Sequence, residues 1–184
     1  MRKEENMKAL IRMEDEWTQD LSLSALVAKM WQLTPTEVAL SLKEDSDEPK
    51  LNERQTFDVC PALFKFKDIA SNPLWQQFPA RREYSSIYMA PLQRYRRLQI
   101  TTPFCAETVM QVRAYAVLIL EVAQATHGKI SEDEGQTWQS ISEFELKYRS
   151  LLDAPREVLQ RFSALEGDTL SLDETEFSKF SYLY

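Results

Sequence analysis

TTPFCAETVMQVRAYAVLILEVAQATHG, residues 101–128, is the stretch whose reading decides the fold. Thr102 suits a helix N-cap, Pro103 the first helical position, and Gly128 the residue just past the end. Residues 114–120 are apolar all round, with Arg113 and Glu121 at the edges. A helix without a polar face is a buried helix. The expected fold is therefore mainly α: a compact single-domain helical protein around a buried central helix at about 103–126, with a small β-hairpin at 84–101.

Working outward, residues 4–19 place Met7, Leu10, Ile11 and Trp17 at helical spacing, with Glu14 breaking the stripe, and predict an amphipathic helix. Two short helices follow at about 23–31 and 35–44, completing an N-terminal segment 1–44. Thr34, Pro35 and Glu37 form a capping box for the second. Residues 45–56 are polar and read as a loop. Residues 57–167 form the core region. Within it, residues 63–67 fit a strand or a helix, and 84–90 and 94–101 have strand-like content for a hairpin turning at 90–93. After the central helix, Ser131 and Glu134 give an S-x-x-E capping signature for a helix to about Leu152, with Trp138, Ile141, Phe144 or Glu145, Tyr148 and Leu152 on one stripe. Asp153 is the expected cap of the next helix, with Pro155 in its first turn and Gly167 at its end. Residues 168–184 are an acidic, aromatic tail.

The chain has 184 residues, enough for a core without metals or disulfides. It has three glycines, so Gly-rich ligand loops are few. Its two cysteines, Cys60 and Cys105, lack metal spacing and fit a reducing compartment. The N-terminus has no secretory pattern, and no apolar run approaches the roughly 20 residues of a membrane span. A cytoplasmic protein without a membrane partner is expected.

The net charge of −7 is unevenly placed. Residues 130–184 carry twelve acids and five bases, whereas residues 60–120 carry eight bases and three acids. Within that basic middle, Arg81, Arg82, Arg94, Arg96 and Arg97 alternate with Tyr84, Tyr88 and Tyr95. Guanidinium and aromatic groups on one surface suit phosphate contact with base stacking. The same types anchor protein interfaces, and pairing with the acidic C-terminal third is the plain internal alternative.

Residues 24–42 match the helix-turn-helix pattern: Ala28 inside the first helix, Leu33 and Thr34 at the turn, Val38 and Leu42 behind. Gln32 stands where glycine is usual. The groove-facing side offers Thr34, Thr36 and Lys43, a sparse set for base readout. In the tail, Phe177, Phe180 and Tyr184 fall at helical spacing and suit docking on a partner.

Enzyme signatures are missing: no P-loop, dinucleotide fingerprint, nucleophile elbow or zinc-protease motif occurs. The one histidine, His127, lies at a helix end. Residues 123–134 mimic the end of a calcium loop, but Ala123, Ala125 and His127 stand where its early oxygen ligands belong. No catalytic residue, metal or cofactor is expected. The reading is a non-enzymatic regulatory or accessory protein that binds DNA or RNA through the 81–97 patch and the 24–42 hairpin. The alternative is a protein–protein adaptor or complex subunit, with another chain or a second copy as partner.

Overall fold

The computed structural model describes residues 7–16, 22–34, 57–58, 87–92, 96–102 and 109–166. The expected second helix at 35–44, the 45–56 loop, the 63–67 segment and the 168–184 tail lie outside them. So do the cysteines.

The fold is not mainly α. Helices pack on one face of a five-stranded antiparallel sheet. The strands are β1 (Lys8–Arg12), β2 (Phe57–Asp58), β3 (Tyr88–Leu92), β4 (Arg97–Thr101) and β5 (Lys129–Ser131), in the spatial order β2-β3-β4-β1-β5. The helices are α1 (Leu23–Trp31), α2 (Val109–Ala125), α3 (Ile141–Leu152) and α4 (Arg156–Glu166).

The N-terminal segment is the main correction. Instead of an amphipathic helix, Lys8–Arg12 is a strand between β4 and β5. Ala9, Leu10 and Ile11 are all buried. A strand covered on both faces shows a continuous apolar run rather than alternation, and this one matched a helical stripe by chance. The hairpin is displaced from the expected 84–90 and 94–101, and it is central to the fold. Tyr88 pairs with Thr101 and Leu92 with Arg97, so the strands run to 92 and from 97, and β4 pairs onward with β1.

The inner face carries Ala9, Ile11, Met89, Leu98, Ile100 and Ile130, all buried. They are cross-strand partners: Met89 opposes Ile100, Ile100 opposes Ala9, and Ile11 opposes both Leu98 and Ile130. Helix α2 packs on β1 and β5 and also touches α1, α3 and α4. All its residues are buried except Glu121 and Gln124.

The described part of this helix opens at Val109; residues 103–108 lie outside. Thr102, expected as its cap, follows the last residue of β4, and its hydroxyl accepts from the Met7 amide at 3.0 Å. At the other end the left-handed residue is His127 (φ 47), not Gly128. The Gly128 amide donates to the Ala123 carbonyl at 2.8 Å and the His127 amide to the Gln124 carbonyl at 3.4 Å, a Schellman closure. Gly128 is needed for another reason. A Cβ there would meet Ile11 Cγ2 at 2.9 Å and the Arg12 carbonyl and Thr126 Oγ1 at 3.0 Å, because β1 passes against it.

Arg113 is buried inside α2. Its Nη1 donates to the carbonyls of Lys29 (3.0 Å) and Met30 (2.7 Å), capping the C-terminus of α1. Burial pulls its pKa down to about 10, so it stays charged at neutral pH and complements the helix dipole. Lys29 pairs with Glu121 beside it. Gln32 (φ 52) takes the left-handed position that ends α1, and its Nε2 donates to the Ala154 carbonyl at 3.0 Å.

Helix α3 starts later than expected. Its cap is Ser140, with Glu143 completing the capping box. Asp153 caps the C-terminus of α3 rather than opening α4. Phe144, Tyr148 and Leu151 form its buried stripe, with the Phe144 and Tyr148 rings 4.6 Å apart.

Gly128→Ala should lower stability by about 1–3 kcal/mol, the typical cost of overpacking. Urea unfolding followed by circular dichroism checks this; an unchanged midpoint would show that β1 does not press on Gly128.

Candidate functional site

Side chains directly opposite in antiparallel strands share a face. The outer face therefore carries, in one row, Leu92 on β3, Arg97 on β4, Arg12 on β1 and Lys129 on β5. Three of these four neighbours are cations. With strands about 4.8 Å apart, Arg97, Arg12 and Lys129 span about 10 Å. Like charges side by side repel, so the row needs a compensating partner.

Part of that compensation is Trp138. The Arg12 guanidinium lies 4.8 Å and that of Arg97 5.2 Å from the centre of its ring. Each such contact contributes about 0.5–1 kcal/mol at an exposed site. Trp138 was expected on the apolar stripe of a helix; it lies in the loop before α3.

The 131–140 loop is fixed by its own hydrogen bonds. Ser131, expected as a helix cap, is in β5; its hydroxyl donates to Asp133 Oδ1 at 2.7 Å and accepts from the Gly135 amide at 2.8 Å. Asp133 also accepts from the Thr137 amide (2.8 Å) and hydroxyl (2.5 Å). These bonds, Thr137 foremost, hold its pKa down to about 2. The Ile130 amide donates to the Gln139 carbonyl (3.0 Å) and the Ile130 carbonyl accepts from the Gln139 amide (2.8 Å), which closes the free edge of β5. Gly135 (φ 90) brings the loop over the sheet, and a Cβ there would lie 3.7 Å from Leu10 Cδ1 and 3.8 Å from Arg97 Nη1. Glu134 reaches across to Lys8 at 3.0 Å.

Beside this loop is a cleft of about 360 Å³ lined by Glu132, Asp133, Trp138, Glu143 and Lys147 among others. Its polar groups serve one another. Glu132 accepts from Gln139 (2.9 Å), Lys147 (2.6 Å) and Tyr148 (2.6 Å), and Glu143 accepts from Ser140 (2.7 Å). Among the described residues no group of three or more His, Cys, Asp or Glu is placed to hold a metal ion. No described helix is long and apolar enough to cross a membrane.

Of the expected contact residues, Arg97 and Tyr88 lie on the outer face, Tyr88 in the row of Thr101 and Lys8. Arg96 (φ 48) is exposed in the β3–β4 turn, 3.8 Å from Glu16. Thr34 is exposed just past α1. Arg81, Arg82, Tyr84, Arg94, Tyr95, Thr36, Lys43, Phe177, Phe180 and Tyr184 lie outside the described residues. Arg113, counted with the basic middle, is the internal cap of α1. Sequence reasoning missed Arg12, Lys129 and Trp138. The available signal was the Lys8–Arg12 pattern itself, three apolar residues between two cations.

No family model, curated protein or solved structure matches the chain.

The Asp133 network gives a pH prediction. The fold favours the charged carboxylate, so its contribution is in force above about pH 4, the unperturbed range, and is lost as pH falls through about 2. Asp133→Asn should therefore melt below the wild type at pH 7, with the gap closing towards pH 2. Thermal melts across that window check the sign.

Proposed function

We propose that this chain is a non-enzymatic regulatory or accessory protein that binds nucleic acid through the outer face of its sheet. The observation that carries the reading is the adjacency of Arg97, Arg12 and Lys129 across three strands, with two of the three stacked on Trp138. A phosphate backbone is an anion that can engage several neighbouring cations at once. Tyr88 on the same face adds a ring for a base to stack on. Arg12 and Lys129 enlarge the set that the 81–97 segment suggested. The 24–42 hairpin is not needed for this reading: Leu26, Val27, Met30 and Trp31 of α1 are buried in the core. Its expected second helix lies outside the described residues.

Fluorescence anisotropy with labelled oligonucleotides at about 50 mM salt tests this. Binding is expected, weakening as salt rises. The double variant Arg12→Gln, Lys129→Gln should bind more weakly to every sequence, with a salt slope shallower by about 0.7–0.9 per lost phosphate contact. No binding at low salt, or an unaffected double variant of native circular dichroism, would overturn the proposal.

A further inference from the structure

We infer that Trp138 is a built-in competitor of the ligand: the 131–140 loop already gives the outer face contacts of the kind a nucleic-acid strand would bring, and binding has to displace them. This regulation rests on the reading above. The cations of the row are all engaged in the free protein. Arg12 and Arg97 lie 4.8 and 5.2 Å from the centre of the Trp138 ring. The Arg97 Nε is buried, and a Cβ at Gly135 would lie 3.8 Å from its Nη1, so the loop passes over this residue. Lys129 acts on Glu143, whose carboxyl is held below its usual range by Ser140 first and by this lysine in smaller part. Further along β1, Lys8 holds Glu134 at 3.0 Å. Leu10, between Lys8 and Arg12, is buried under the same loop.

The chemistry of these contacts is that of the proposed ligand. An indole on a guanidinium stands in for a base, and a carboxylate on an ammonium stands in for a phosphate. A strand that stacks on Arg12 and Arg97 needs the guanidinium surface that the indole covers. Its affinity then falls in proportion to the fraction of molecules in which that surface is already open. The two internal contacts differ in weight. The Lys8 and Glu134 side chains are 38% and 73% exposed, and such a pair contributes little and is screened by salt. Trp138 is half-buried and covers two cations at once, so it is the stronger competitor. Its release does not require the loop to open. The Ile130–Gln139 pairing and the Asp133 network hold the backbone, and a turn of the Trp138 side chain uncovers both arginines.

Trp138→Leu removes the ring, keeps bulk and leaves the net charge unchanged, so long-range attraction to phosphate is unaltered. The full chain and this variant, each checked by circular dichroism, are titrated with one labelled DNA strand of about 12 nucleotides at about 50 mM salt. Trp138→Leu should bind about two- to fivefold tighter, the factor that one such stack represents. Trp138→Phe keeps a ring over the arginines and should stay close to the wild type. Should the leucine variant not fold, Trp138→Gln takes its place under the same expectation. Equal or weaker binding without the ring, or an equal gain with phenylalanine, overturns this inference and leaves the nucleic-acid reading standing. If neither the wild type nor any variant binds, both fail.

Discussion

A helix that is apolar on every side has to be covered on every side, and that requirement organises this protein. With only Glu121 and Gln124 reaching solvent along Val109–Ala125, no single layer of neighbours suffices. Helices α1, α3 and α4 cover part of α2, and the inner face of the sheet covers the rest. The sheet meets this demand with apolar cross-strand partners at each inward position of β1, β3, β4 and β5. Helix α1 is tied to α2 by more than apolar contact, because Arg113 reaches out of the buried helix to cap the last carbonyls of its neighbour. A buried cation is costly unless paired; here the negative end of a helix is the partner.

The same pairing that builds the inner face fixes the outer one. Strand periodicity is two, so placing Ala9 and Ile11 inward sends Lys8, Leu10 and Arg12 outward. Burying Leu98 and Ile100 sends Arg97 outward in the same way. Register then puts Arg97, Arg12 and Lys129 shoulder to shoulder. The charge cluster is a consequence of core packing, and Trp138 is the group that makes it tolerable. The loop bearing that ring gains its rigidity from polar contacts with itself, which need no help from the core.

Sequence reasoning succeeded where one local signal dominates and failed where two were equal. The burial of α2 was legible because seven apolar residues in succession leave a helix no polar side. The strand character of Lys8–Arg12 was not, because Leu10 and Ile11 satisfy a helical stripe as well as a doubly covered strand; pairing with β4 and β5, remote in sequence, decides between them. The start of α3 was ambiguous in the same sense. S-x-x-E occurs at Ser131 and again at Ser140, and both serines accept hydrogen bonds from backbone amides, but only the second places Phe144, Tyr148 and Leu151 on one buried face. At the site, Arg97 and Tyr88 were legible from arginine–tyrosine interleaving. Arg12 and Lys129 were not, since their relation to Arg97 exists only across strands.

Both the sheet and its basic row depend on β1 being an inner strand, and hydrogen–deuterium exchange tests that most directly. The account predicts that the amides of residues 8–12, held between β4 and β5, exchange as slowly as those of α2. Exchange of these amides at the rate of an unstructured terminus would contradict it, and would remove Arg12 from the row on which the functional reading stands.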